Sequence, residues 1–130
     1  MVQDIEDYKA PTKDTPEMII NKATGDLILR GNSYPSDSVA FYSHIIDWYR
    51  TQIETGKYPN INIDFYFDYI NTSSTKLIIQ LLDLLENQIA AGRTCVVRWH
   101  YLPEDTNMRD IGEDLKNFVN IPFELVERED

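Results

Sequence analysis

The chain has 130 residues, 42% of them hydrophobic and 26% charged, which suits one globular domain with a sizeable core and argues against wholesale disorder. No apolar run approaches the ~20 residues of a membrane span, and Met1-Val2-Gln3-Asp4 has neither the basic nor the apolar region of a signal peptide, so a cytoplasmic protein is expected. A formal charge of −10 speaks against nucleic acid and anionic membranes as ligands, both being polyanions, and leaves a basic partner surface or simple solubility.

Residues 1–16 mix charges with Pro11 and Pro16 and show no period, which predicts a flexible N-terminal arm ahead of a single domain over 17–130. Met18-Ile19-Ile20 and Leu27-Ile28-Leu29 flank the turn sequence Ala23-Thr24-Gly25-Asp26, the pattern of a hairpin. Gly31-Asn32-Ser33-Tyr34-Pro35 is expected to break the second strand. Ser36 or Asp37 then caps a helix running to about Thr55, with Gly56 as its stop. Val39, Tyr42, Ile45, Ile46, Tyr49 and Ile53 form its core stripe. Phe41 and Trp48, seven apart on another face, either pack against a neighbouring helix or offer a partner surface.

After Pro59, Ile61, Ile63, Phe65, Phe67 and Tyr69 alternate with polar residues, the period of a strand buried on one face. Leu77, Ile78, Leu81, Leu82, Leu85 and Ile89 then fall on one side of a second helix, which Gly92 ends. Residues 94–101 make the next strand, with Cys95 as a small buried hydrophobe that has no partner for an internal disulfide. A third helix from Thr106 to about Val119 and a short strand at Pro122–Val126 complete the order β-β-α-β-α-β-α-β. That is a small α/β domain with a mixed sheet. Right-handed crossovers place the first two helices on one face of it, and the alternating strand agrees, since a sheet covered on both faces would carry a continuous apolar run.

Between the alternating strand and the second helix stand five small polar residues, Asn71-Thr72-Ser73-Ser74-Thr75. One reading is an N-cap, which needs only one residue of this type; no Glu or Gln completes a capping box. The other is an exposed hydroxyl that accepts phosphate, because first-turn N–H groups and the helix dipole favour an anion there. On the residues alone the cap is the commoner case.

Catalytic constellations are missing from the pattern. Asp64 and Asp68, four strand residues apart, stand ~13 Å from one another, too far for a carboxylate pair. Asp110, Glu113 and Asp114 read as a solvated acidic face before a cation site. His44 and His100 lack companions at metal-ligand spacing, and no glycine-rich phosphate loop is present. No enzyme and no cofactor are expected.

Several blocks together carry a resemblance: Thr15-Pro16, Gly31-x-Ser33-Tyr34-Pro35, Phe41 to Trp48, Tyr69-Ile70-Asn71-Thr72-Ser73-Ser74, Val97-Arg98-Trp99-His100-Tyr101, Gly112-Glu113-Asp114 and Pro122-Phe123. Across nearly the whole chain they resemble the SiaC family of bacterial regulatory phosphoproteins. The resemblance implies a fold similar to STAS-type anti-sigma-factor antagonists and a partner-switching function. In such proteins a kinase phosphorylates a hydroxyl at the start of the second helix and a PP2C-type phosphatase clears it. In one branch the unphosphorylated form binds and activates a diguanylate cyclase, in cyclic-di-GMP signalling and biofilm control. The Asn-Thr-Ser-Ser motif implies Thr72 as the acceptor, with Ser73, Ser74 and Thr75 as alternatives. The expected partner-binding surface is Asn71, Thr72, Ser73, Ser74, Lys76, Ile79 and Asp83. Ile79 stands out because it projects between Asp83 and Glu86, where burial within a monomer is not needed. The competing reading is a small anion- or metabolite-binding domain, or an enzyme, using the backbone of residues 72–75.

Overall fold

The computed structural model describes residues 5–129. Six strands, β1 (Tyr8–Lys9), β2 (Glu17–Asn21), β3 (Asp26–Ser33), β4 (Asn60–Ile70), β5 (Thr94–Tyr101) and β6 (Phe123–Glu127), form one sheet in sequence order. The first three pair antiparallel and the rest parallel. The helices α1 (Ser38–Thr55), α2 (Thr72–Ala90) and α3 (Thr106–Phe118) make the three crossovers. Strand order never reverses, so right-handed crossovers place all three helices on one face. Ile61, Ile63, Phe65 and Phe67 of β4 point into that layer with Cys95, Val97 and Trp99 of β5, and all are buried.

The mixed sheet and the two helices on one face match the expectation from sequence, and α3 joins them. Trp99 is its anchor: fully buried, it stands against Phe65, Phe67 and Phe123, and its Nε1 donates to the Met108 carbonyl of α3 at 3.0 Å. The opposite face of the sheet carries polar residues that satisfy one another. Asp64 accepts from His100 Nε2 at 2.8 Å and lies 3.5 Å from Arg98. Tyr66 stacks on His100 with ring centroids 3.9 Å apart, and Arg30 lies over its ring. This solves the problem of an uncovered face without a hydrophobic layer.

The helix ends follow local chemistry. Asp37 caps α1 by accepting from the Ala40 N–H, and Gly56 closes it in the left-handed conformation. At the end of α2 the cap is Ala91, with Gly92 left-handed just beyond it and the Arg93 N–H donating to the Gln88 carbonyl, the 6→1 bond of a Schellman motif.

Four expectations need correction. The segment 1–16 is not all irregular: Tyr8–Lys9 pairs with β2 as the edge strand β1, and Ile5 joins the core; residues 1–4 of the expected arm lie outside the described residues. The 31–35 segment does not stop β3, which continues to Ser33 across a register shift after Gly31. That shift sets Gly31 opposite Phe67 and Asn32 opposite Tyr69, leaving Asp68 as the extra residue of a bulge. One inserted residue reverses the alternation, so Tyr69 turns outward, 51% exposed, and Ile70 is buried instead. Val39, assigned to the core stripe of α1, is 61% exposed. Of the two readings of the Phe41 and Trp48 face, packing within the domain holds: Trp48 is buried against Tyr49 and Tyr58, and Phe41 is half-buried with the Lys9 ammonium over its ring.

Candidate functional site

The β4–α2 junction lies at the C-terminal edge of the parallel strands, where α/β sheets place their sites. The chain turns from Ile70 into α2 within one residue. Asn71 is that residue: its N–H donates to the Ser33 carbonyl at 2.9 Å, and its side-chain oxygen accepts from the Ser74 N–H at 2.9 Å. Asn71 is thus the N-cap and Thr72 the first helical residue.

The four hydroxyls that follow have different surroundings. Ser74 is fully buried and accepts from Ser33 Oγ at 2.9 Å, and Ser33 Oγ also lies 2.6 Å from the Tyr42 hydroxyl. Burial, the dominant cause, pushes the Tyr42 phenol up to about 12 despite its hydrogen bonds to Ser33 and Ser74, so this chain of hydroxyls stays neutral. Thr75 is half-buried and donates back to the Asn71 carbonyl at 3.0 Å. Ser73 is exposed but lies 2.7 Å from Ser38 Oγ at the start of α1, and it donates to Asn71 Oδ1 at 3.3 Å. Thr72 is exposed, and among the described residues its hydroxyl alone of the four has no hydrogen-bond partner.

A cleft of about 280 Å³ opens beside Thr72 between α2 and α3. Thr72, Thr75 and Ile79 of α2 face Ile111, Asp114 and Phe118 of α3 across it. The α3 set follows from helical spacing, since positions 111, 114, 115 and 118 share one stripe. Ile79 is half-buried, neither fully covered nor projecting alone into water. A second cleft, about 380 Å³, separates the starts of α1 and α2 and includes Ser38, Val39, Ser73 and Lys76. Asp83 is exposed one turn beyond Ile79. The structure therefore gathers Asn71, Thr72 and Ile79 around one cleft, puts Ser73 and Lys76 on the other, and takes Ser74 out of reach.

Three features of this surface were not in the sequence reading of the site. Tyr34 and Tyr69 are exposed and meet edge-to-face at 5.6 Å beside the ends of β3 and β4. Phe118 is 70% exposed at the end of α3. The bulge that exposes Tyr69 depends on pairing with a distant strand, so no local signal could have found it. Phe118 was within reach, as an aromatic on the same helical stripe as Ile111. No group of three or more His, Cys, Asp or Glu able to hold a metal ion occurs among the described residues, and no helix there is long and apolar enough to cross a membrane.

The site is the C-terminal edge of the parallel strands in a small mixed α/β domain, with one exposed, unpartnered hydroxyl at the start of α2 beside the cleft between α2 and α3. Residues 9–128 match the family described as SiaC family regulatory phosphoprotein. This chain belongs to the SiaC family, a family of regulators rather than enzymes. Its fold is similar to a chain in the crystal structure of the diguanylate cyclase SiaD in complex with its activator SiaC from Pseudomonas aeruginosa, with a TM-score of 0.86 and 29% identity over 93% of this chain and 98% of that one. Apo-SiaC from the same organism superposes with a TM-score of 0.82 and 30% identity, covering 92% of this chain and 96% of its own. An uncharacterized protein of Pseudomonas aeruginosa (strain UCBPP-PA14) is 32% identical over 114 residues, which is 88% of this chain and 90% of that protein.

Proposed function

We propose that this protein is a phosphorylation-controlled partner-switching module. A kinase phosphorylates Thr72, a PP2C-type phosphatase removes the phosphate, and the unphosphorylated form binds and regulates an output protein, a diguanylate cyclase. The observation that carries the choice of residue is the contrast among the four hydroxyls: Ser73, Ser74 and Thr75 are engaged, while Thr72 is exposed and without a partner. A kinase must bring a hydroxyl oxygen in line with the γ-phosphoryl group. For Thr72 this breaks nothing; for Ser74 it would require opening the core. The choice of a cyclase as output is supported by the similarity to SiaC, which is the activator of the diguanylate cyclase SiaD. A cytoplasmic location follows from that role.

The position also suits a phosphate energetically. Phosphothreonine at the first position of α2 carries about −1.5 to −2 charges next to the positive end of the helix, which typically stabilises an anion by ~0.3–1 kcal/mol. Asn71 already takes the Ser74 N–H, so the phosphate meets only the outermost N–H groups and leaves the cap in place. The tryptic peptide from Tyr58 to Lys76 holds all four hydroxyls. Mass spectrometry of that peptide from native cells, with fragmentation to locate the group, tests the reading. Phosphate on Thr72 is the expected result; its absence from that peptide under every growth condition removes the proposal.

A further inference from the structure

The sheet has two edges, and they are built differently. A bare strand edge presents unpaired backbone N–H and C=O groups to any extended segment nearby, and proteins blunt it with short strands, lysines, prolines or bulges. At one edge β1 does this: it is two residues long, one of them is Lys9, and Pro11 follows closely. At the other edge β6 has five residues, an unbroken register with β5, and neither lysine nor proline within it. The Val97 N–H donates to the Pro122 carbonyl and the Arg128 N–H to the Tyr101 carbonyl, so residues 122, 124, 126 and 128 turn their backbone groups toward β5. Phe123, Leu125 and Glu127 turn theirs outward, where among the described residues nothing pairs with them.

The side chains of β6 narrow the occupant. On the helix side Leu125 packs against Gly112 of α3 yet is only half-buried, since no strand lies beyond β6 to cover it. On the opposite face Glu124 is exposed, 3.7 Å from Arg98, and exposed Glu127 and Glu129 follow. Arg128 does not offset these charges at the edge, because its guanidinium reaches back over the sheet to Asp68 and Tyr66. A strand laid beside β6 thus meets an apolar side chain on one face and a carboxylate on the other, which suits alternating apolar and basic residues. A second copy of this chain does not suit it. Pairing β6 with itself would gather the carboxylates of both molecules along one seam and join two bodies that each carry a formal charge of −10.

We propose that β6 is a docking edge for an extended segment of another protein, one in which basic and apolar residues alternate and which adds a further strand to the sheet. Its backbone pairs with the outward groups of Phe123, Leu125 and Glu127, an apolar side chain lies beside Leu125, and a Lys or Arg lies beside Glu124. β5 separates this edge from β4 and the start of α2, so the proposal stands or falls independently of the partner-switching reading.

The probe is an end-blocked heptapeptide of alternating valine and lysine, titrated into the full chain while amide hydrogen exchange is followed by NMR. In the free protein the Phe123, Leu125 and Glu127 amides should exchange faster than those of Glu124 and Val126, which face β5. At saturation the peptide should slow those three by about tenfold and leave the amides of α2 as they were. Glu124→Lys, at an exposed position, should weaken peptide binding about tenfold with the melting temperature unchanged. A peptide N-methylated at every backbone nitrogen, which has no donors left, should not bind, and neither should one of alternating valine and glutamate. Absence of protection at the three amides with millimolar peptide would overturn the proposal. A methylated peptide that binds as well as its parent would also overturn it, since the acidic surface alone would then be holding the lysines. Protection of the same amides without peptide, in a chain that sediments as a dimer, would give the edge to a second copy and refute the partner strand.

Discussion

Gly112 sets the distance between α3 and the sheet, and replacing it by alanine should destabilise the protein. A methyl carbon at that position would collide with Trp99 Cδ1 and stand 2.6 Å from Leu125 Cδ2 and 2.8 Å from Trp99 Nε1. Leu125 is the end of a flexible side chain and can turn away. Trp99 cannot: it is fully buried, surrounded by Phe65, Phe67 and Phe123, and bonded through Nε1 to the Met108 carbonyl of the same helix. Two effects compete. Alanine is better than glycine inside a helix by about 0.8–1 kcal/mol, while overpacking a well-filled core costs typically ~1–3 kcal/mol. With contacts this short against a fixed ring, overpacking wins, and we expect a net loss of about 1–2 kcal/mol. At about 2.1 cal/mol/K of unfolding entropy per residue, a chain of this length loses roughly 4 °C per kcal/mol, so calorimetry should record a fall of about 4–8 °C. A variant melting at or above the wild-type temperature would refute the argument, because it would mean that α3 lifts off Trp99 at no cost.

The other predictions concern the site and the core. Asn71→Ala should cost about 1 kcal/mol of stability through loss of the N-cap of α2, seen as a lower denaturation midpoint, whereas Thr72→Ala should leave that midpoint within error because Asn71 is the cap. Thr72→Asp should likewise melt as wild type yet weaken cyclase binding at least tenfold, or ~1.4 kcal/mol, in calorimetric titration; equal affinities would remove Thr72 as the switch. Tyr42, raised to about 12 by burial from about 10 in the unfolded chain, binds its proton more tightly when folded. Its contribution to stability is therefore full below pH 10 and is lost as pH rises toward 12, which alkaline unfolding of wild type against Tyr42→Phe should show. Cys95 is buried with its thiol pushed up to about 12, mainly by that burial, so a thiol reagent at pH 8 should react only after denaturant is added.

Much of the fold was legible because it is written in local periods. The alternation from Ile61 to Phe67 gave β4 and its buried face, and the apolar stripe from Leu77 to Leu85 gave α2. The features that escaped depend on pairing across the sheet. Nothing in Tyr8–Lys9 marks a strand; two residues become one only because β2 offers an open edge. Tyr69 obeys the alternation of β4 in sequence and violates it in space, because the bulge at Asp68 is a property of two strands and not of one. At the site, the run of small polar residues announced a helix start and its alternatives. Which member caps and which is free was decided by Ser33, Ser38 and Tyr42, side chains that come from elsewhere in the chain.

That division of labour bears on how a switch can be built into a helix start without endangering the fold. In a minimal N-terminus the capping hydroxyl would also be the modified one, and phosphorylation would trade the cap for the signal. On the proposed reading the two tasks fall on neighbouring residues here. Asn71 caps, and its carbonyl holds Thr75. Ser74 ties α2 to β3 through Ser33, and Ser73 ties it to α1 through Ser38. With the junction held at four points, the side chain of Thr72 makes no contribution that a phosphate could remove, and the helix dipole favours the modified state slightly. The proposed switch would therefore leave the folded state almost untouched and act on what approaches Thr72. A chain phosphorylated on Thr72 should accordingly match the unmodified chain in amide hydrogen exchange along α2 while losing its partner. Faster exchange at the start of α2 would instead mean that the phosphate works by fraying the helix.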